Sequence, residues 1–249
     1  MTHAGHALVV EGLRVTYGSR LALHDVSFAV GWGEVVAVVG PNGAGKSSMF
    51  KAITGLVEAD GTVALGGTQC HHHRDRMGAS YLPQASSIDL DFPVTVQQMV
   101  ASGRRRFLRM GRRLRGVDHA IVDGALDRVG LADRAASPIG TLSGGQRQRV
   151  FLARALAQEA DVLLLDEALS GVDAPSTDDL LGLFHDLAND GRTILVATHD
   201  LALARRRFDR CLAINGTLVA DGLPADVLIG DILDAVFGTA VPPSLRANV

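Results

Sequence analysis

Three short stretches, almost entirely apolar, interrupt the otherwise mixed pattern of hydrophobic and polar positions along the chain. They occupy residues 34–39, 161–165 and 193–198. Runs of this kind are typical of parallel strands that are buried on both faces. Helical patterns lie at 47–54, 146–158 and 177–189. Because strands alternate with helices, we expect a parallel sheet wrapped by helices.

Shorter β-rich segments precede and follow this pattern. Near the amino terminus, strands are predicted at 8–10, 13–17 and 27–30, with Gly12 and Gly18 as interruptions. We expect these strands to form a separate antiparallel layer. Further strands are predicted at 61–65 and 79–83, and a hairpin at 212–219.

Residues 94–135 have a helical pattern and predict a helical insertion rich in arginine. The arginines concerned are Arg104, Arg105, Arg106, Arg109, Arg112, Arg113 and Arg115. They could form a solvated helical face or contact anionic lipid headgroups. Nucleic-acid binding is disfavoured because no aromatic stacking platform accompanies the arginines.

Composition narrows the classes of function. The chain has 249 residues, of which 47% are hydrophobic, and a formal net charge of -3. That charge argues against binding to nucleic acid through the overall field of the protein. Two cysteines exclude a disulfide scaffold and fit a reducing compartment. No apolar run approaches the roughly 20 residues of a membrane span and no signal-peptide pattern is present, so we expect a cytoplasmic protein.

A glycine-rich turn between the first apolar strand and the first helix matches the full phosphate-loop pattern. It consists of Gly40, Pro41, Asn42, Gly43, Ala44, Gly45, Lys46 and Ser47. Its glycines permit backbone angles that aim N–H groups at phosphate oxygens, and the helix adds the partial positive charge of its first turn. Lys46 is expected to reach the β- and γ-phosphates of a nucleotide, and the Ser47 hydroxyl to bind Mg²⁺.

The second apolar strand ends in two acids, Asp166 and Glu167. This ending delivers both carboxylates to the edge of the sheet where ligands bind in open α/β folds. Asp166 is suited to hold Mg²⁺ through water, and Glu167 to polarise an attacking water as a general base.

A Ser-Gly-Gly turn opens another helix and forms a second candidate anion site. The turn and its neighbours are Leu142, Ser143, Gly144, Gly145 and Gln146. One ATP molecule does not need two such loops in one chain. The second loop makes sense if it meets the γ-phosphate of a nucleotide held by another subunit.

Together the three motifs resemble those of the nucleotide-binding subunit of an ABC transporter, and the resemblance covers nearly the whole chain. It implies an α/β fold of the P-loop NTPase type, with a RecA-like parallel sheet core, an N-terminal antiparallel β layer and a helical subdomain. The single domain spanning 1–249 would divide into a catalytic core at 1–85 and 147–241, a helical subdomain at 86–146, and a tail at 242–249.

The resemblance also implies roles for four further residues. Tyr17 resembles the aromatic residue that stacks on adenine, with a core aromatic as the alternative. Gln84 resembles the glutamine that senses Mg²⁺ and contacts the membrane subunit. Asp173 resembles the aspartate that crosses the dimer interface in the segment called the D-loop. His199 resembles the histidine that contacts the γ-phosphate.

Two positions depart from the usual family pattern. Ser48 stands where Thr is usual, but it keeps the hydroxyl, so we expect it to belong to the nucleotide site. Ala168 stands where Pro is usual. The loss of proline increases the conformational entropy of the chain and costs at most about 1 kcal/mol of stability. The resemblance therefore still implies an ATPase that uses ATP and Mg²⁺.

Residues 85–96 resemble a segment of the ATPases of manganese and zinc importers, and residues 235–238 agree with this subgroup. The resemblance implies a homodimer that sandwiches ATP, integral membrane permease subunits and, indirectly, a metal-binding substrate-binding protein. The chain would then be peripheral on the inner face of the cell membrane. The alternatives are an ATPase of an iron-chelate or other importer, or a soluble ABC ATPase without transport. A kinase is disfavoured because the Ser143 turn has no role in one.

The run His71–His73 follows Cys70 and invites comparison with a metal site, since His and Cys are good ligands for Zn²⁺. Three consecutive residues do not converge on one ion without an unusual loop. An exposed turn between strands is therefore the favoured interpretation, and a weak metal-sensing site is the alternative.

Overall fold

The computed structural model describes most of the chain, namely residues 5–70, 76, 78–84, 94–107 and 113–238. Several predictions fall outside these residues. They concern His71–His73, most of the segment 85–96, Arg109, Arg112 and the tail 242–249.

Within the described residues, strands and helices alternate along most of the chain. The strands are β1 (Leu8–Tyr17), β2 (Arg20–Val30), β3 (Val35–Val39), β4 (Asp60–Leu65), β5 (Thr68–Gln69), β6 (Ala79–Leu82), β7 (Val162–Asp166), β8 (Thr193–Thr198), β9 (Arg210–Ile214) and β10 (Leu218–Gly222). The α-helices are α1 (Lys46–Ile53), α2 (Val96–Ala101), α3 (Gly116–Arg128), α4 (Gly144–Leu156), α5 (Ala174–Asn189), α6 (Leu201–Arg207), α7 (Pro224–Val227) and α8 (Gly230–Phe237). Short 3₁₀ helices occupy Ser102–Phe107, Ala132–Arg134 and Ile139–Thr141.

The three predicted apolar strands are β3, β7 and β8, and they lie side by side at the centre of one sheet. The strand order of this sheet is β10-β9-β3-β8-β7-β6. All its pairs are parallel except β9 with β10, which pair as an antiparallel hairpin. The predicted parallel core is thus confirmed, and so is the carboxyl-terminal hairpin.

This central sheet is buried on both faces, which explains why its strands are apolar without alternation. In β3, Val35, Ala37 and Val39 pack into one hydrophobic cluster, which also contains residues of α4 and α5. The intervening Val36 and Val38 pack into a second cluster, with residues of α1, β1 and β2. The phosphate loop and the two acids Asp166 and Glu167 therefore lie at the ends of strands that are buried on both faces.

The second layer is an antiparallel sheet of order β2-β1-β4-β5, as the sequence predicts. The predicted break at Gly12 is wrong, because β1 runs through it. Gly12 has φ 58 and sits where the pairing of β1 with β2 shifts register, so it marks a bulge within a strand. β2 likewise begins well before the predicted Ser27, and its polar Asp25 adopts a positive φ at a second irregularity.

The helical insertion packs against α4. Both α2 and α3 contact this helix, which also contacts β6 and α5. α4 therefore connects the insertion to the central sheet, and the predicted boundary between residues 146 and 147 falls inside it. The short helices α6, α7 and α8 were not predicted, since elements of four to eight residues carry little periodic signal.

Arg104 corrects the interpretation of the arginine cluster as a solvated helical face. Its side chain is buried, and Nε lies 3.1 Å from Oδ1 of Asp118. Nη1 donates to the carbonyl of Ala157 at 2.9 Å and to Glu159 at 2.5 Å, while the guanidinium lies 4.2 Å from the ring centroid of Phe107. Arg104 thus joins the insertion to the end of α4, whereas Arg105, Arg113 and Arg115 are exposed.

Membrane-spanning helices and disulfide bonds are both absent from the residues that the structure describes. None of the helices there is long and apolar enough to cross a lipid bilayer. Cys70 and Cys211, both buried, do not form a disulfide in this part of the chain.

Candidate functional site

The phosphate loop joins β3 to α1, and two of its glycines are required by close packing. Gly45 has φ 100 at the start of α1, and a Cβ there would lie 2.4 Å from a methyl carbon of Leu23. A Cβ on Gly40 would lie 2.1 Å from the carbonyl oxygen of Ile214. Leu23 of β2 and Ile214 of β9 therefore leave no room for a Cβ, and only glycine fits at either position.

Lys46, the first residue of α1, is buried at 7% exposure beneath the loop. Its Nζ donates to the carbonyls of Gly40 at 2.6 Å and Pro41 at 3.0 Å. Burial lowers the pKa of Lys46, and the nearby charges of Glu167 and Asp166 oppose that shift. An ammonium has three donors, so two carbonyls leave one for a ligand. A buried cation of this kind is suited to bind an anion.

The two acids, Asp166 and Glu167, lie at the carboxyl end of β7. Asp166 is the last residue of the strand and only 4% exposed. The hydroxyl of Tyr81 in β6 donates to its Oδ2 at 2.9 Å. Burial, together with the neighbouring Asp166 charge, raises the pKa of Tyr81, so its hydroxyl keeps its proton. Tyr81 does not stand out in the sequence, because this contact depends on how β6 pairs with β7.

Glu167 turns the chain sharply out of the sheet. It has φ 51, in a region that a non-glycine residue rarely adopts, and its N–H donates to the carbonyl of Ala197 at 3.1 Å. Such strain is retained where the surrounding structure imposes it, as at functional sites. Nε2 of Gln84, just beyond β6, donates to Oε2 of Glu167 at 2.6 Å. The structure thus brings Gln84 and Glu167 together.

One cleft gathers most of the predicted nucleotide residues. Its lining comprises Tyr17, Arg20, Ala22, Asn42, Gly43, Ala44, Gly45, Lys46, Ser47, Ser48, Asp166 and Glu167. Tyr17 is 45% exposed at this cleft, so the alternative of a core aromatic does not hold. Its position follows from the hairpin of β1 and β2, in which Tyr17 pairs with Arg20 across a two-residue turn.

Arg20 is a cleft residue that sequence analysis missed. A Cβ on Gly43 would lie 3.9 Å from a guanidinium nitrogen of Arg20. Opposed residues of an antiparallel pair project to the same face, so Tyr17 and Arg20 lie together above the loop. The short turn after Tyr17 is a local signal that could have revealed this pairing.

His199 lies in an adjoining cleft. It follows the end of β8 and is exposed, and it shares that cleft with Glu167, Thr198 and Asp200. Glu167 lines both clefts, so the two clefts are neighbours.

The Ser-Gly-Gly turn lies elsewhere. Ser143 caps α4: its hydroxyl accepts from the N–H of Gln146 at 3.3 Å, and its own N–H donates to Gln146 Oε1 at 3.0 Å. Leu142 is buried, while Ser143 and Gly144 are exposed. None of the five residues 142–146, all within the described part of the chain, lines the cleft of Lys46.

The turn packs instead against the segment around Gly171 and Ser176 of the same chain. A Cβ on Gly145 would lie 3.1 Å from Ser176, and one on Gly144 would lie 3.8 Å from the carbonyl of Gly171. Asp173 caps α5 by accepting from the N–H of Ser176 at 3.0 Å and from its hydroxyl at 2.9 Å. These hydrogen bonds hold the pKa of Asp173 below its usual value.

The donor set of the main cleft fits a nucleotide with Mg²⁺. Hydroxyl and carboxylate oxygens, from Ser47 and Asp166, are the ligands that Mg²⁺ prefers. Lys46 and the first turn of α1 supply positive charge and N–H groups for phosphates. No group of three or more His, Cys, Asp or Glu able to hold another metal occurs among the described residues, which exclude His71–His73.

Comparison with known proteins agrees with this geometry. The family described as ABC transporter matches residues 23–170. The manganese transport system ATP-binding protein MntA of Synechocystis is 39% identical, over 92% of this chain and 89% of its own. The zinc transport system ATP-binding protein TroB of Treponema pallidum is 37% identical, over 96% and 90%.

A solved structure has the same fold along almost the whole chain. It is described as an inward-facing conformation of a metal-chelate type ABC transporter. It superposes with a TM-score of 0.80 at 28% identity, over 94% of this chain and 89% of that one. The chain therefore belongs to the ABC transporter family, and its fold is the ATP-binding cassette of that family.

Proposed function

We propose that this chain is the ATP-binding and ATP-hydrolysing subunit of an importer for a metal ion, manganese or zinc. The observation that carries the proposal is one cleft that combines a buried lysine under a phosphate loop with Asp166 and Glu167. The exposed Ser143 turn stands apart from that cleft. An ATPase working as a single copy has no use for such a turn.

In this proposal the phosphate loop holds the triphosphate of ATP. The residues that bind it are Tyr17, Gly40, Pro41, Asn42, Gly43, Ala44, Gly45, Lys46, Ser47 and Ser48. Tyr17 stacks on the adenine, and the remaining donor of Lys46 meets the β- and γ-phosphates. Ser47, Asp166 and Gln84 would hold Mg²⁺, which supplies positive charge to the phosphates.

Glu167 is the general base of the proposed reaction. It accepts the proton of the attacking water, and it lines the same cleft as Lys46 and Ser47. Gln84 orients the Glu167 carboxylate through the 2.6 Å hydrogen bond. His199, exposed in the adjoining cleft, contacts the γ-phosphate.

Two copies would form the complete site. The first turn of α4 and the hydroxyl of Ser143 face outward in one chain, so they can meet the nucleotide of a second copy. Within the segment Leu142, Ser143, Gly144, Gly145 and Gln146, the exposed Ser143 and Gly144 would make this contact, while Leu142 and Gly145 are buried. Asp173 would lie at the interface between copies. There is no room for a Cβ on Gly145 beside Ser176, so the turn packs closely against the start of α5 and would reach that interface together with Asp173.

The cargo is proposed from similarity rather than from the described residues. The manganese and zinc systems of the relatives support a metal ion, as does the resemblance of residues 85–96. The structural neighbour, a transporter of the metal-chelate type, favours a metal chelate as the second candidate. In either case the ion is selected by a substrate-binding protein and permease subunits, and this chain works at the inner face of the membrane. We expect no nucleic-acid partner, because the formal net charge of the chain is -3.

Affinity purification from gently solubilised membranes tests the transporter assignment. A tagged copy of the chain is recovered and its companions are identified by mass spectrometry. We expect a polytopic membrane protein in near-equal amount. Recovery of soluble companions only, with ATPase activity intact, would favour the soluble ABC ATPase instead.

A further inference from the structure

Tyr81 reaches a residue of the nucleotide cleft from a neighbouring strand. Parallel pairing of β6 with β7 sets Tyr81 opposite Leu164, two residues before Asp166. The tyrosine side chain is long enough to span that offset, and its hydroxyl lies 2.9 Å from Oδ2 of Asp166. The register of the two strands therefore fixes the contact.

Asp166 depends on this hydroxyl. It is 4% exposed, and Tyr81 is the one side chain among the described residues that donates to its carboxylate. A buried carboxylate oxygen without a donor is strongly disfavoured, so the Tyr81 hydroxyl holds one orientation of the group. With Oδ2 committed to Tyr81, Oδ1 remains for the cleft that contains Lys46 and Ser47.

Glu167, the acid after Asp166, likewise accepts a hydrogen bond from a neutral side chain that lies just after Tyr81 in the sequence. Gln84 donates to Glu167 at 2.6 Å. β6 and the residues just after it thus hold both Asp166 and Glu167 through neutral donors, and these donors leave the negative charge of the two acids in place.

We propose that Tyr81 is a positioning residue, which orients the Asp166 carboxylate for the Mg²⁺ that accompanies ATP. The inference rests on the proposed function, in which Asp166 belongs to the magnesium site. Tyr81 does not touch the nucleotide in this proposal, and its effect passes through Asp166 alone. Loss of a partner that orients a metal-binding group typically lowers the metal affinity by roughly 10–100-fold.

The substitution Tyr81→Phe tests this directly, because it removes one hydroxyl and keeps the ring. Ser80→Ala is the matched control. It removes a hydroxyl from the adjacent position of β6, where Ser80 Oγ donates to Gln158 at 3.1 Å and contacts neither acid. Both variants and the wild type are compared as the full chain.

The main readout is the affinity of the complex with a non-hydrolysable ATP analogue for Mn²⁺, a spectroscopic substitute for Mg²⁺, measured by electron paramagnetic resonance. We expect Tyr81→Phe to weaken Mn²⁺ binding roughly tenfold or more. Binding of a fluorescent ATP analogue in EDTA should stay unchanged, since the phosphate loop is intact. Ser80→Ala should match the wild type in both measurements.

Steady-state ATPase measurements separate positioning from general damage. Tyr81→Phe should raise the Mg²⁺ concentration for half-maximal activity, and most of the turnover should return at saturating Mg²⁺. Equal Mn²⁺ affinity in Tyr81→Phe and the wild type would overturn the inference. A wild type that binds neither ATP analogue nor Mn²⁺ would contradict the proposed function itself, so the two failures are distinguishable.

Discussion

At the scale of single residues, three charged groups of the cleft are held by neutral partners. Lys46 donates to two carbonyls, Asp166 accepts from Tyr81, and Glu167 accepts from Gln84. Within the described residues, none of the three is paired with an opposite charge at hydrogen-bond distance. Their charges are therefore oriented but remain available to a ligand, which is the arrangement that electrostatic catalysis requires.

Glu167→Gln should slow ATP hydrolysis by roughly 100- to 10,000-fold, the contribution usual for a general base. ATP binding should be preserved, because the phosphate loop is unchanged. Single-turnover hydrolysis and binding of a fluorescent analogue measure the two quantities. Glu11→Gln, an exposed change on β1, serves as the control. Near-normal turnover in Glu167→Gln would remove Glu167 as the base.

Lys46→Met should abolish tight ATP binding. The change removes a buried ammonium and keeps an apolar side chain of similar length. Loss of the buried charge stabilises the chain, whereas loss of the hydrogen bonds to Gly40 and Pro41 destabilises it, so the two effects oppose each other. We expect a folded protein by differential scanning fluorimetry and a loss of nucleotide binding by calorimetry. Lys51→Met, in the same helix, is the control. Retained ATP affinity in Lys46→Met would contradict the assigned role.

At the scale of elements, the motifs could be predicted because each is contiguous in sequence and sits where a buried strand ends. The phosphate loop after β3 and the acids after β7 are examples. Contacts between elements could not be predicted in the same way. The bond of Tyr81 to Asp166 depends on strand register, and the bulge at Gly12 depends on pairing with β2. A polar or glycine position within a strand cannot reveal such long-range partners by itself.

The contacts of Arg104 could not be predicted from the sequence either, and they lead to a prediction about stability. Its partners Ala157 and Glu159 lie more than 50 residues away along the chain. Arg104→Met should lower the free energy of unfolding by roughly 3 kcal/mol, the order expected when a buried ion pair loses one partner. Urea denaturation measures the change, and exposed Arg105→Met should be nearly neutral. An equal effect of the two substitutions would show that Arg104 does not fasten the insertion.

At the scale of the whole molecule, the structure separates the phosphate loop from the Ser143 turn, the second proposed phosphate-binding element of the chain. Lys46 lies in the main cleft, whereas the Ser143 turn packs against the segment around Ser176. This separation supports a head-to-tail pair of copies, in which each cleft is completed by the other chain. The sequence alone suggested this arrangement, since it contains two phosphate-binding turns but one phosphate loop with acids.

ATP should therefore drive dimerisation when hydrolysis is blocked. We expect Glu167→Gln to elute as a dimer with ATP and Mg²⁺ and as a monomer without nucleotide, by size-exclusion chromatography with light scattering. Adding Ser143→Arg to this variant should prevent the dimer, because a large side chain would occupy the place of the phosphate. A dimer that forms equally without ATP, or survives Ser143→Arg, would contradict the sandwich.

Metal uptake tests the central claim most directly, namely that ATP hydrolysis by this chain drives import of a metal ion. Cells that produce the wild type or Lys46→Met in place of the native copy are compared for uptake of radioactive manganese and zinc at limiting concentration. We predict uptake of one of the two metals in wild-type cells and its loss in Lys46→Met cells, with Lys51→Met cells unaffected. Equal uptake of both metals in all three strains would contradict the claim.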